Sequence, residues 1–159
     1  MSALPHAAGG PRLAVRAVIV HRGRLLLVNA YPGRQSDLWC APGGGVERGT
    51  GLPDNLAREV EEETGLAIEV GRLCLVNEFH APDRDFHQVD LFFRATLAGD
   101  VADAQLPGWA DPEGIVNRHM WATEGEAAGL RIKPDSLLRI AFSPAGTDAS
   151  YDPLEILVG

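Results

Sequence analysis

Three glutamates stand at spacings that place them on one face of a helix. Glu59, Glu62 and Glu63 occupy positions i, i+3 and i+4, which are neighbours on a helix surface. No lysine or arginine follows four residues later to relieve their mutual repulsion, so the pattern favours a bound cation. Carboxylate oxygens suit Mg²⁺ or Mn²⁺, and Mg²⁺ often shares its coordination with substrate phosphates. The run therefore indicates phosphate chemistry, against the simpler interpretation of a solvated acidic face.

The acidic face needs a helix that packs from its opposite side. Leu52, Leu56 and Val60 recur at i, i+4 and i+8, which predicts an apolar stripe directed inward. The acidic face then points outward into a cleft. Gly65 follows the run and predicts a left-handed C-cap at the end of the helix.

A glycine-rich segment comes shortly before this helix. Gly43, Gly44 and Gly45 allow the backbone to approach a ligand closely, so they are candidates for binding substrate phosphate or metal. The alternative, that they only permit a turn, fits the residues equally well. A glycine-rich loop alone is a weak signal. Its fixed spacing from the acidic helix makes the pair informative.

Together, the glycines and the acidic run resemble the Nudix box, G-x5-E-x7-R-E-U-x-E-E-x-G-U, in which U is a bulky aliphatic residue. The match runs from Gly44 to Leu66 and holds at every defined position except Thr50, where the pattern has glutamate. The resemblance extends over about residues 12–142. It implies an α/β fold, a Nudix-like α/β/α sandwich around a mixed β-sheet.

The resemblance also implies roles for the helix residues. Glu59, Glu62 and Glu63 would be metal ligands for Mg²⁺, with Mn²⁺ as a substitute, and Glu59 would also serve as a base or orient the attacking water. Arg58 would hold a glutamate side chain in place through charge-assisted hydrogen bonds. Glu61 lies off this face and is expected to be solvated.

Thr50 is the departure from the family pattern. Its hydroxyl is suited to an N-cap at the start of the helix, with Pro53 tolerated in the first turn because its missing N–H is not needed there. Glu47 would then supply part of the lost charge near Arg58. Thr50→Glu tests whether the position limits activity.

The rest of the chain predicts strands before and after the helix and two short helices later. Apolar and β-branched runs predict strands over 13–20, 25–29, 38–41, 67–79, 88–97 and 115–121, with a hairpin turn at His21 to Arg24 and a polar loop from His80 to His87. The late helices are expected at 124–129 and 134–142, the second with Pro134 in its first turn.

We expect one domain, 12–142, between two tails. Residues 1–11 are rich in Ala, Gly and Pro and predict a flexible N-terminal tail. Residues 143–159 form a C-terminal tail that ends on an apolar run, which would dock on the sheet or on a partner. The family resemblance also allows a homodimer.

Composition narrows the class of partner. The 159 residues carry a formal net charge of −8, which argues against a long nucleic acid, and no apolar run is long enough to span a membrane. A small anionic substrate remains compatible because a divalent metal reverses the local charge. Cys40 and Cys74 form no Cys-x-x-Cys pair and, with no signal-like segment, lead us to expect reduced thiols in a cytoplasmic protein.

Several residues outside the box are open candidates. For an additional catalytic carboxylate they are Glu78, Asp83, Asp85, Asp111 and Glu113; for substrate contacts they are Tyr31, Arg34, Trp39, Arg84, Phe86 and Trp109. Acidic loop residues are usually only solvated, and aromatic residues more often fill the core. His80 and His87 would meet across a hairpin, with a joint metal site as the less favoured interpretation.

The expected activity is Mg²⁺-dependent hydrolysis of the pyrophosphate linkage in a nucleoside diphosphate joined to another group. Pro82 lies sixteen residues beyond Leu66, a spacing that in the family marks enzymes acting on ADP-ribose. ADP-ribose or a nucleotide sugar is therefore favoured, with nucleoside triphosphates next. The alternative is a catalytically silent Nudix domain that senses a nucleotide or metabolite or serves as an interaction module, and Thr50 is the residue in its favour.

Overall fold

The computed structural model describes residues 10–30, 37–109 and 119–157. Most of the predicted N-terminal tail lies outside these ranges, as do four candidate residues, Tyr31, Arg34, Asp111 and Glu113, and the first part of the strand predicted at 115–121.

Ten strands and three α-helices occupy the described ranges. In chain order they are β1 (Arg12–His21), β2 (Arg24–Asn29), β3 (Leu38–Cys40), β4 (Gly43–Gly45), α1 (Leu52–Thr64), β5 (Ile68–Ala81), β6 (Phe86–Leu97), β7 (His119–Thr123), α2 (Glu124–Ala128), β8 (Arg131–Ile132), α3 (Leu137–Ala141), β9 (Ser150–Tyr151) and β10 (Glu155–Ile156). Short 3₁₀ turns lie at Pro82–Arg84 and Asp103–Gln105.

The strands form one mixed sheet with β1 near its centre. The order is β10-β5-β6-β1-β2-β3-β8, with β4 paired to β1, β7 to β2 and β9 to β5. Strand β1 runs parallel to β6 and antiparallel to β2 and β4. The first half of β1 therefore lies between the glycine strand and β6, which brings the box segment to the centre of the sheet.

Two apolar layers cover the two faces of the sheet. On one face α1 buries Leu56 and Val60 against Val15 and Ile19 of β1. On the other face α3 buries Leu137 and Ile140 against a separate cluster that includes Phe92 of β6. Helices on both faces of a mixed sheet confirm the predicted α/β sandwich.

Several local predictions are confirmed. The β1–β2 hairpin turns at Arg22 and Gly23, both with positive φ, as a tight two-residue hairpin turn requires. Helix α1 ends at Gly65, whose φ of 76° is left-handed and whose N–H donates to the Glu61 carbonyl.

No helix in the described ranges is long and apolar enough to cross a membrane.

Other local predictions were wrong. The residue that caps α1 is Gly51, not Thr50, because the Thr50 N–H donates to the Glu47 carbonyl in a preceding turn. The glycine segment 43–45 is a strand rather than a loop, since β1 offers it a hydrogen-bonding edge. The polar loop at 80–87 is shorter than expected, because β5 and β6 pair as far as Ala81 and Phe86.

The start of the last helix also differs from expectation. Helix α3 begins at Leu137, after Ser136, so Pro134 precedes the helix instead of lying in its first turn.

Within the predicted C-terminal tail, β9 pairs with Leu75 and Val76 of β5, and β10 pairs with Phe79 and His80. These two short strands cover the outer edge of β5, which would otherwise expose unpaired backbone groups.

The C-cap of α1 gives a direct stability test. Gly65→Ala should lower the free energy of unfolding by about 1 kcal/mol, because an alanine side chain opposes the left-handed backbone even though nothing lies within 4 Å of the added Cβ. Urea unfolding followed by circular dichroism measures the change.

Gly125→Ala is the matched control. Gly125 also has open space around its Cβ position but lies within α2 without a positive φ, so alanine there should be neutral or slightly stabilising. Equal losses for the two variants would contradict the conformational explanation.

Candidate active site

Arg58 is the centre of the acidic face of α1. Its Nη1 lies 3.0 Å from Glu62 Oε1, and its Nη2 lies 3.4 Å from Glu59 Oε1 and 3.3 Å from Glu47 Oε1. These carboxylates raise the pKa of Arg58, and the hydrogen bond that Arg58 donates to Glu62 is the largest cause. Arg58 therefore holds two of the three predicted ligands and a glutamate from outside the helix.

The glycine strand lies directly against Glu59 and Glu63. The Gly43 N–H donates to Glu63 Oε1 at 3.3 Å. A Cβ at Gly44 would come within 2.4 Å of a Glu59 carboxylate oxygen. The strand therefore brings main-chain atoms into contact with the acidic face, and the absence of side chains is what allows the approach.

Glu63 faces a mixed electrostatic environment. Desolvation raises the pKa of its carboxyl group, and the neighbouring charge of Glu59 adds to this effect. The Gly43 N–H, Arg16 and His119 oppose it by favouring the charged form. His119 also donates from Nε2 to the Glu63 carbonyl at 3.0 Å, which ties β7 to the end of α1.

The three glutamates are ligands of the kind that a hard divalent cation prefers, but two of them, Glu59 and Glu62, pair with Arg58. Carboxylate oxygens at i, i+3 and i+4 are the ligands that Mg²⁺ and Mn²⁺ prefer. In the described residues, no group of three His, Cys, Asp or Glu side chains lies close enough to hold a metal ion. Binding a cation here therefore requires Glu59 and Glu62 to turn away from Arg58.

Asn55 is a positioning residue that the sequence analysis missed. It is fully buried on α1, accepts from the Glu47 N–H at 2.8 Å and donates to the Gly45 carbonyl at 3.1 Å. These two bonds join the segment after β4 to the helix. The signal in the sequence was a polar residue at position 55, beside Leu56 on the buried side of an otherwise amphipathic helix.

A cleft of about 450 Å³ opens beside Glu63. Its floor is the face of β1, β6 and β5 that carries Arg12, Arg16, Gln88 and Asp90. Gln88 donates to Asp90 Oδ1 at 2.7 Å and accepts from Arg12 at 3.1 Å. Sequence reasoning missed all four residues, because their shared face follows from the parallel register of β1 and β6.

Asp90 is a buried acid on the cleft floor. Burial raises its pKa, and Arg16, Gln88 and Arg12 only partly oppose the shift. Arg16 Nε lies 3.8 Å from Asp90 Oδ1, and Arg16 also donates to the Ala41 carbonyl at 3.2 Å. A carboxylate kept in an unfavourable environment at the floor of a cleft is typical of functional sites.

The other acidic candidates that the structure describes lie elsewhere. Glu78 accepts from Tyr151 and pairs with His87 Nε2 at 3.5 Å, and it is not among the residues that line the cleft. Asp83 and Asp85 are exposed at the turn between β5 and β6. None of these three replaces Asp90 or Glu63 as a cleft acid.

The described aromatic and basic candidates divide between cleft and core. Phe86 and Arg84 line the cleft. Trp39 is buried in the core, and Trp109 packs on Trp121 at 5.6 Å between ring centroids. The Phe79 and Phe86 rings lie 5.7 Å apart at the cleft.

The cysteines and the histidine pair lie on strands β3, β5 and β6 rather than on α1. Cys40 and Cys74 are free thiols; Cys74 is buried, and Cys40 lines the cleft with its pKa raised by burial. The His80 and His87 rings meet across the β5–β6 hairpin at 5.5 Å. They join no metal-binding group of three side chains among the described residues.

The fold and the site together define a class of protein. It is an α/β sandwich in which a glycine strand and an acidic helix lie beside a basic cleft. A sequence profile described as the NUDIX domain matches residues 10–139. The chain belongs to the Nudix family.

Individual relatives agree with this assignment. The chain is 32% identical over 91 residues to an ADP-ribose pyrophosphatase of Methanocaldococcus jannaschii, covering 56% of this chain and 53% of that protein. It is 31% identical over 113 residues to the uncharacterized Nudix hydrolase YvcI of Bacillus subtilis, covering 66% and 71%. The chain spans about half the length of the archaeal protein and 42% of another Bacillus subtilis relative.

Solved structures share the fold. A NUDIX hydrolase from Nitrosomonas europaea aligns with a TM-score of 0.65 at 22% identity, over 93% of this chain and 79% of that one. A UDP-X diphosphatase aligns with a TM-score of 0.59 at 24% identity, over 92% and 68%.

The glycine strand predicts opposite outcomes for two neighbouring variants. Gly43→Ala would place a Cβ 1.9 Å from the Val15 carbonyl oxygen, so the β1–β4 pairing must break and most of the folding stability should be lost. In Gly44→Ala the three atoms nearest to the added Cβ all belong to the flexible Glu59 side chain, so the loss should stay below about 1 kcal/mol. Urea unfolding of both proteins checks this, and equal losses would contradict it.

Asp90→Asn should raise the melting temperature at neutral pH. Asp90 has a folded-state pKa above its ordinary value of 3.8, so its contribution to stability is fully present below 3.8 and is lost as pH rises through the folded value. The neutral side chain of the Asp90→Asn variant avoids that loss. Each kcal/mol of unfolding free energy recovered raises the melting temperature by roughly 2–4 °C in a chain of this size.

Calorimetry at pH 7.5 and at pH 3.5 measures the effect. The gain should appear at the higher pH and vanish at the lower one. A lower melting temperature for Asp90→Asn at pH 7.5 would show that the Arg16 ion pair outweighs desolvation.

Proposed function

We propose that the protein is a Mg²⁺-dependent hydrolase that cleaves the pyrophosphate linkage of a nucleoside diphosphate joined to another group. The observation that carries this proposal is the position of Glu63, which belongs both to the acidic face of α1 and to the wall of the cleft. A substrate in the cleft would therefore place its phosphates beside the acidic face.

The charge of the cleft supports a small anionic substrate. Five cationic side chains and three carboxylates line the cleft. The cationic residues are Arg12, Arg16, Arg84, Arg131 and Lys133, and the acidic residues are Glu63, Asp90 and Glu155. The protein as a whole carries a net charge of −8, which disfavours long polyanions. The volume of about 450 Å³ is in the range of pockets that bury most of a small ligand.

Each residue of the site has a proposed part in the reaction. Glu59, Glu62 and Glu63 would hold Mg²⁺, or Mn²⁺ in its place, and Arg16 would meet a phosphoryl oxygen from the cleft floor. The metal would offset negative charge on the phosphates and lower the pKa of the attacking water. Glu59, half-buried against Gly44, would orient that water or accept its proton.

ADP-ribose or a nucleotide sugar is the favoured substrate, ahead of nucleoside triphosphates. The name of the archaeal relative supports the first choice. Pro82, at the spacing associated with ADP-ribose, begins the turn that carries Arg84 to the cleft. The adjacent rings of Phe79 and Phe86 offer an apolar surface for a base.

A silent sensor or interaction domain is the second candidate. The observation that favours it is the pairing of Arg58 with both Glu59 and Glu62, together with Thr50 at a position where the family pattern has glutamate. Such a domain would bind the same ligands without hydrolysing them. Hydrolysis of ADP-ribose, nucleotide sugars and nucleoside triphosphates, followed through the phosphate-containing products and measured alongside binding by calorimetry, separates the two.

Glu62→Gln and Glu63→Gln should each lower Mg²⁺-dependent turnover by at least a hundredfold while folding is retained. Each change removes a proposed ligand charge with little change of shape, and loss of such electrostatic stabilisation typically costs that much. Glu61→Gln is the matched control, an exposed glutamate of the same helix turn, and should retain turnover. Near wild-type turnover for both test variants would contradict the metal-site assignment.

A further inference from the structure

Arg58 competes with any cation for the same carboxylates. Its two terminal nitrogens lie 3.0 Å from Glu62 and 3.4 Å from Glu59, and both glutamates are proposed metal ligands. When these side chains turn to a divalent cation, Arg58 loses two of its three described partners. An arginine left without a counter-charge close to a bound cation would oppose binding by like-charge repulsion.

Glu47 is the described partner of Arg58 that does not belong to α1. Its Oε1 lies 3.3 Å from Arg58 Nη2. The Glu47 main chain is fixed by the hydrogen bond from its N–H to the fully buried Asn55. Glu47 therefore stays within reach of Arg58 whichever way Glu59 and Glu62 point.

We propose that Glu47 is a positioning residue that retains Arg58 when Glu59 and Glu62 turn to a divalent cation. It supplies, from three residues upstream, the charge that Thr50 does not carry. This inference rests on the metal site of the proposed function. Glu47 itself is not a ligand, and it acts through Arg58.

Loss of Glu47 should weaken metal binding without unfolding the protein. In Glu47→Gln, the only charged partners left to Arg58 are the proposed metal ligands Glu59 and Glu62. When a cation draws these two glutamates away, Arg58 loses every charged partner described for it, so cation binding costs more free energy than in wild type. Mutation of a residue that orients metal ligands typically lowers metal affinity 10–100-fold. Exposed ion pairs contribute less interaction energy than buried ones. Glu47 is largely exposed, so we expect affinity to fall roughly three- to thirtyfold.

The test measures Mn²⁺ binding by electron paramagnetic resonance at fixed ionic strength, with no substrate present. Wild type is compared with Glu47→Gln and with the double variant Glu47→Gln, Thr50→Glu. The double variant restores a carboxylate near Arg58 from the other position and should recover most of the affinity. Glu61→Gln is the matched control for loss of one nearby charge and should stay within twofold of wild type.

Three outcomes would overturn the proposal. They are wild-type affinity in Glu47→Gln, an equal loss in Glu61→Gln, which would show a general charge effect, and no recovery in the double variant. Melting temperatures within about 2 °C of wild type confirm that each variant is folded. Failure of wild type to bind Mn²⁺ would remove the metal site and the proposed function together, whereas the three outcomes above leave that function standing.

Discussion

The pairing of the glycine strand with β1 is the constraint on which the rest of the site depends. Main-chain hydrogen bonds hold residues 43–45 along β1. Two more lie at the ends of this pairing, where the Ala17 N–H donates to the Pro42 carbonyl and the Val46 N–H donates to the Leu13 carbonyl. Because Gly43 touches the Val15 backbone, no side chain fits between the two strands. The strand then helps to fix the place of α1, since its main chain meets Glu59 and Glu63.

The same central strand links the acidic face to the cleft. Arg12 and Arg16 extend from β1 to the cleft floor, where Arg16 lies near Asp90 and favours the charged forms of both Asp90 and Glu63. Arg12 and Arg16 thus lie on the cleft side of the glutamates, while Arg58 lies on the solvent side. The opposing charges in the site are therefore balanced by residues from different elements, and a change at one carboxylate alters its neighbours.

Sequence periodicity was sufficient for the elements with local causes. The α1 stripe, its left-handed end at Gly65 and the hairpin at Arg22 and Gly23 are set by residues close together in the chain. The sandwich class followed from a family resemblance, and the structure agrees with it. Glycines have no side-chain pattern, so nothing local indicated that 43–45 would pair as a strand.

The cleft floor was beyond local reasoning for a different reason. Asp90 and Gln88 reach the same face as Arg12 only through the register of β1 against β6, and Arg12 and Gln88 are 76 positions apart in the chain. Asn55 was missed because its partners are main-chain groups of a preceding segment. Long-range pairing leaves no periodic signal, so residues that depend on it become visible only in three dimensions.

The docking of residues 150–157 on β5 has a consequence for the order of folding. Glu155 and Leu157 form part of the cleft wall, and β10 reaches its place by pairing with Phe79 and His80, far back in the chain. Such distant contacts close slowly, since chain entropy opposes them until the intervening segment is ordered. The helix and glycine strand come from one short stretch of sequence, whereas the pocket beside them cannot be complete until residues 150–157 have left the ribosome and settled on the sheet.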